Sequence, residues 1–202
     1  MRGRSVAVTL ATLVVLGHAG FARAEESAER DRTREGAISV GIGPGTYVQM
    51  SSPEEVVLGM QLRLGYATPV VRHHLRLSLD VAVTPGGLVP GSDVGTSVGS
   101  RDTAIEPTVG VVTETRGKPR AWLTAKTALG PLVFWPNSVY RDASVGILAR
   151  LTAGARTLLS SSVALGVDLS GAVAAGSFKL DIGPAATFVI AFGAALVVEI
   201  RI

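Results

Sequence analysis

The stretch HHLRLSLDVAVTP, residues 73–85, constrains the fold more than any other part of the chain. From Leu75 to Val83 every second residue is a large aliphatic: Leu75, Leu77, Leu79, Val81 and Val83. Between them stand Arg76, Ser78, Asp80 and Ala82. A period of two makes a β-strand with one apolar and one polar face. A soluble sandwich hides the apolar face, whereas a membrane barrel turns it to lipid. The alternation alone does not choose between them.

The same period runs from Gly36 to the C-terminus. Ile38, Val40 and Ile42 oppose Ser39, Gly41 and Gly43 in a first run over 37–48. Leu58, Met60, Leu62, Leu64 and Tyr66 oppose Gly59, Gln61, Arg63 and Gly65 in a second over 56–67. Further runs follow the opening stretch at 103–115, 120–134, 143–156 and 162–172. The last stretch, 178–202, is too long for a single strand. These runs exceed the 5–6 residues of an ordinary globular strand and approach what a tilted bilayer crossing needs. Turn-rich connections separate them. Two alternate ones, 68–72 and 116–119, are short, while 85–102 is long, as expected for the unequal rims of a transmembrane barrel.

The polar face favours lipid outside. It consists mostly of Gly, Ala, Ser and Thr, with one or two charges per strand, and small side chains suit the inside of a narrow barrel. Parity turns Arg63, Arg76, Asp80, Glu106, Lys126, Arg150, Asp168, Asp181, Glu199 and Arg201 into the lumen, with Glu114 and Lys179 beside them. Both signs are represented, as a dry interior demands, because an unpaired buried charge costs several kcal/mol. Tyr47, Tyr66, Phe134, Trp135 and Phe178 fall near strand ends and are expected in interfacial girdles. Trp122 has inward parity.

Composition agrees. Hydrophobic residues make up 47% of the 202-residue chain and charged ones only 17%, against about 25% in soluble domains. The first 24 residues read as a cleaved secretory signal peptide: basic MRGRS, an apolar run, and Ala22-Arg23-Ala24 before Glu25-Glu26. Arg2, Arg4 and Arg23 account for the whole excess of 19 basic over 16 acidic residues, so the remaining chain is balanced and nucleic-acid binding loses its support. Residues 25–35, EESAERDRTRE, form a flexible charged lead-in, and 36–202 the barrel domain. With no cysteine, stability must come from a core, a closed barrel or the bilayer.

On the alternating strands VVLGMQLRLGY and HLRLSLDVAV, the leader, the unequal loops and the missing cysteines, the chain resembles the small outer-membrane β-barrel proteins of Gram-negative bacteria. The resemblance covers about residues 36–202 and is architectural, with no diagnostic motif. It implies an all-β, antiparallel up-and-down transmembrane barrel of about eight strands, with nine or ten if 178–202 holds an extra one. It also implies outer-membrane lipid and the barrel assembly machinery as partners, and a monomer. ALVVEIRI keeps the alternation but ends in Ile202, where that family commonly has an aromatic residue.

Catalytic signals are weak. Gly95-Thr96-Ser97-Val98-Gly99 matches G-x-S-x-G but lies in a Gly/Ser-rich loop without the strand and helix that chemistry requires. His73 and His74 are adjacent on a strand, so they point to opposite faces and cannot readily share a metal. Gly41-Ile42-Gly43-Pro44-Gly45 lacks the helix and lysine of a nucleotide loop. No catalytic, metal or cofactor site is therefore expected. The function expected is structural, adhesive or small-solute passage. Alternatives are a barrel lipid-modifying enzyme built on His74 and a soluble periplasmic lipocalin-like binding barrel. With the N-terminus in the periplasm, 85–102 follows the third strand and faces the exterior.

Overall fold

The computed structural model describes residues 35–49, 55–70, 75–85, 103–118, 121–135, 143–178 and 186–202. The leader, most of the charged lead-in, His73-His74, Ser97 with its loop, Lys179 and Asp181 lie outside the described residues.

Eight strands follow one another in chain order. They are β1 (Ala37–Gln49), β2 (Glu55–Ala67), β3 (Leu75–Thr84), β4 (Thr103–Lys118), β5 (Ala121–Trp135), β6 (Ser144–Leu158), β7 (Val163–Phe178) and β8 (Ala186–Arg201). Each pairs antiparallel with its sequence neighbours, and β1 closes on β8. At the seam Ile202 N–H donates to the Gly36 carbonyl at 3.0 Å, tying the two ends of the barrel chain together. Closure removes every sheet edge, which is what a spanning β-structure needs where no water can satisfy the backbone.

The register fixes the shape. Starting at Ala37, successive partners are Ala67, Ser78, Gly110, Ala128, Arg150, Ala172 and Ala191, which pairs with Tyr47 on β1. One circuit therefore climbs ten positions. Eight strands with that stagger tilt by about 40° and enclose an interior that side chains alone can fill.

Two prolines mark interruptions of the ladder. The β1–β8 register skips from Ile42 to Gly45 across Pro44, and the β4–β5 register skips from Ile105 to Val109 across Pro107. Proline has no N–H to give, so a ladder can pass it only with a lapse in pairing.

The count of eight resolves the allowance for an extra strand. Phe178 ends β7 rather than beginning the last strand, so β7 runs well beyond the 162–172 expected. The unrecognised part, GAVAAGSF, alternates only among small residues: Val173 and Ala175 face out while Ala172 and Ala174 face in. Side chains of such similar size carry little period-two contrast.

Candidate functional site

The outer wall is apolar. Exposed side chains include Val40, Ile42, Leu62, Leu64, Leu77, Leu79, Val109, Leu129, Ile147, Leu169, Phe192 and Leu196. Among the residues whose side-chain burial is described, no charged side chain is exposed. On β8 the outward row from Phe188 to Ile200 spans roughly 30 Å of barrel height at that tilt, matching a hydrocarbon core. An open apolar groove of about 650 Å³ indents this wall beside the Pro107 interruption, between Leu64, Tyr66, Val81 and Leu129.

The interior has three levels. At the end where β1 begins and β8 finishes, charged side chains form a floor. Arg76 pairs with Glu114 at 2.7 Å, and Glu114 lies 3.5 Å from Arg201. Arg201 reaches Glu199 at 3.3 Å, and Glu199 lies 3.6 Å from Arg156, which pairs with Asp168 at 2.7 Å. Trp122 joins the floor under the Arg201 guanidinium, 4.6 Å from its ring centroid. Arg76 also donates to the backbone carbonyls of Thr68, at 2.7 Å, and Glu35, which stitches the β2–β3 turn and the entry to β1 onto the same network. The chain of alternating signs touches β3, β4, β6, β7 and β8, so each charge is compensated where water is scarce.

At the opposite rim the lumen is packed with apolar groups. Tyr47, Leu132, Phe134, Leu148, Phe178 and Val189 are each 2% exposed or less. Tyr47 meets Phe134 edge-to-face with centroids 5.7 Å apart, and Phe134 meets Phe178 at 5.6 Å. Such T-shaped pairs are worth about 0.5–1.5 kcal/mol beyond their burial. Gly146 makes the packing possible, because a Cβ there would run into the Phe178 ring.

Just below the plug, the Tyr47 hydroxyl donates to Glu106 Oε1 at 2.5 Å and sits 3.0 Å from Thr84 Oγ1. Gln61 Nε2 donates to Tyr47 Oη at 3.0 Å, and Arg150 forms an ion pair with Glu106. Arg63 donates to Gln61 Oε1 at 2.5 Å and to Ser170 Oγ at 2.6 Å. Lys126 and Asp80 form a separate ion pair. The Lys126 and Asp80 side chains keep 21% and 19% of their surface, whereas Tyr47, Gln61, Thr84 and Glu106 are tightly enclosed. The barrel thus holds a hydrogen-bonded polar layer between a charged floor and an apolar plug.

Nine of the ten charges expected in the lumen are among the described residues: Arg63, Arg76, Asp80, Glu106, Lys126, Arg150, Asp168, Glu199 and Arg201. All nine are buried or half-buried, and eight of them form ion pairs. Asp181 lies outside the described residues. Arg156, which bridges Asp168 and Glu199, was not anticipated. It occupies the inward parity at the end of the sixth run, where the alternation gives way to turn residues.

The girdle reading needs correction. Trp135 and Tyr66 do face outward, 58% and 39% exposed, but Tyr47, Phe134 and Phe178 point inward and build the plug. Proximity to a strand end says nothing about the face, and all three have the inward parity of their strands. The lipid-facing aromatics at the plug rim are instead Trp135 and Phe188. Among the described residues, no three His, Asp or Glu side chains converge on a point suited to a metal ion.

No protein-family model matches the chain, and no curated protein matches it. Solved structures do. Neisserial surface protein A (NspA) aligns with a TM-score of 0.57 at 13% identity, covering 82% of this chain and 99% of that one. Ail, the attachment invasion locus protein of Yersinia pestis, aligns with a TM-score of 0.43 at 16% identity, covering 83% and 99%. The fold is that of a small eight-stranded barrel. At 13% identity the likeness to NspA concerns the fold alone, and it leaves the lumen chemistry to be read from this chain's own residues.

Proposed function

We propose that this chain is an outer-membrane barrel that seals rather than conducts, and that it acts through the connections after its odd-numbered strands. The observation that carries the membrane reading is the uncharged outer wall. A soluble barrel of this size would keep charged side chains in water, and burying charges of both signs inside while exposing Leu, Val and Ile outside would leave it insoluble. In a bilayer the same arrangement is the stable one. The lipocalin-like alternative needs the aliphatic rows inside the barrel, but they are outside.

Two features favour a structural or adhesive role over small-solute passage. The plug of Tyr47, Phe134, Leu132, Leu148 and Phe178 blocks one end of the lumen, and the Arg76–Glu114–Arg201–Glu199–Arg156–Asp168 network spans the other. The connections on the plugged side, such as 85–102 and 136–143, are then the parts free to meet a partner. NspA, which shares the fold, is named as a surface protein. The partners proposed are outer-membrane lipid, the barrel assembly machinery during insertion, and an extracellular surface met by the loops.

Fractionation with cold and boiled gels tests the location. The protein should appear in the outer-membrane fraction and migrate differently before and after boiling, whereas recovery from the soluble periplasm would refute the proposal. Planar-bilayer recording tests the sealing. The folded protein should give no steady conductance, and resolved single-channel steps would restore solute passage.

A further inference from the structure

The apolar wall is not smooth, and the groove of about 650 Å³ beside the Pro107 interruption has a local cause. Pro107 on β4 and Pro131 on β5 stand on the outward parity, so compact rings take the place of longer side chains such as Leu64 and Leu129. Across the lapse in the ladder, a Cβ built on Gly130 would strike the Pro107 carbonyl. Gly130 shares the inward parity of Ala128 and Leu132, so that carbonyl lies on the lumen side of β5 and β4 steps inward past it. Glycine permits the step because it has no side chain in the way. Asp80 and Thr108 lie under the floor of the groove, on the inward parity of their strands.

The groove has a direction. It begins at Ile38 and Tyr66, on the floor side, and ends at Pro107 and Pro131. Between them it follows the row Tyr66, Leu79, Val109 and Leu129, which pair in turn across β2, β3, β4 and β5. With the tilt and stagger of this barrel, Pro131 stands roughly 15 Å above Tyr66 along the barrel axis. A hydrocarbon core of ~30 Å gives half its depth to each leaflet, so the groove spans one leaflet and stops near the midplane. At its lower end Tyr66 is 39% exposed, and its hydroxyl would lie 3.3 Å from a Cβ on Gly36, next to the start of β1. An amphipathic ring at that level belongs among lipid head groups.

We propose that this groove seats one acyl chain of a phospholipid from the floor-side leaflet, with its head group level with Tyr66, a site that rests on the membrane location proposed above. The groove is continuous with the wall that meets lipid and opens sideways, so a chain enters it without crossing a polar barrier. Left empty, the indentation would forfeit dispersion contacts along its whole lining. A flexible methylene chain follows such a trough, whereas the convex wall of a second barrel would bridge over it. A lipid of the opposite leaflet would have to reach past the midplane to fill it. The seated phospholipid would therefore stay with the barrel while its neighbours exchange.

Lipid retention tests the site. The protein is inserted into vesicles of phosphatidylethanolamine, phosphatidylglycerol and lipid A, extracted in mild detergent, and weighed by native mass spectrometry. The wild-type barrel should carry one phospholipid out of the vesicles. Val81→Trp and Val109→Trp each fill the trough with an apolar ring that the lipid face tolerates, and should lose that lipid. Leu169→Trp, at a position 65% exposed on β7 away from the groove, should keep it. The mobility of unboiled samples shows which variants are folded, and either groove variant suffices if the other fails to fold. An inserted wild-type barrel that retains no phospholipid overturns the proposal and leaves the membrane location standing. Retention of lipid A in its place, a lipid-free dimer, undiminished retention in the folded groove variants, or equal loss in Leu169→Trp also overturns it. A protein that never enters the vesicles removes the membrane location and the site together.

Discussion

The Glu106–Arg150 pair allows the buried electrostatics of the lumen to be tested quantitatively. Glu106 is 1% exposed, accepts the Tyr47 hydroxyl and pairs with Arg150. Glu106→Gln conserves volume and can still accept from Tyr47, so packing and the hydrogen bond survive while the charge is lost. Arg150 is then left as a buried guanidinium without its carboxylate, with the like charge of Arg63 acting against it. Breaking a buried pair from one side costs about 3–5 kcal/mol, more than the 1–3 kcal/mol of a lost hydrogen bond alone. At about 1.4 kcal/mol per decade the folding constant should fall by roughly two to four orders of magnitude. Removing both charges together, in Glu106→Gln with Arg150→Met, should recover most of that loss and show a coupling of more than about 2 kcal/mol. The assay is urea unfolding of protein in lipid vesicles, followed by tryptophan fluorescence and by the mobility of unboiled samples. A Glu106→Gln variant that loses less than about 1 kcal/mol would refute the reasoning. So would a double variant that loses the sum of the two singles.

Other perturbations have expected outcomes. Leu129→Arg, on the lipid face at mid-strand, should cost about 2–4 kcal/mol, while Trp135→Arg at the end of the same strand should cost about 1 kcal/mol or less, both read by folding into vesicles. Phe134→Ala removes the ring between Tyr47 and Phe178 and should destabilise by about 3–5 kcal/mol in the same unfolding assay. Gly146→Ala should cost about 1–3 kcal/mol, because its methyl displaces the Phe178 ring, and Phe178→Leu in the same chain should relieve much of that loss. A tag at Ser97 should be reached by antibody on intact cells; access only after the outer membrane is broken would contradict the proposed orientation.

Period-two alternation made the barrel legible because the two faces of each strand meet opposite solvents. Leu75 to Val83 against Arg76 to Ala82 is unambiguous, and the exposed and buried residues of β3 follow it position by position. Parity also sorted the charges, since a charge on the lipid face is too costly to keep. Parity could not say how far up the barrel a side chain lies, because height depends on the stagger between strands. The ten-position climb brings Tyr47 at the end of β1 onto Glu106 of β4 and Phe134 of β5, residues with no recognisable relation in sequence. The plug was therefore hidden among aromatics that looked interfacial. The pairing of Arg156 with Asp168 and Glu199 was hidden for the same reason. A strand is visible from local contrast, and partners across a lumen only from register.

The central claim is that the outward row of each strand contacts lipid, and the absence of cysteine makes it directly measurable. Single cysteines at each position from Leu75 to Val83, carrying nitroxide labels in vesicle-inserted protein, report collisions with oxygen, which partitions into lipid, and with a water-soluble nickel chelate. Oxygen contact should peak at positions 75, 77, 79, 81 and 83 and fall at 76, 78, 80 and 82, with the nickel chelate low at every odd position. A nickel maximum at the odd positions, or no alternation at all, would contradict the account.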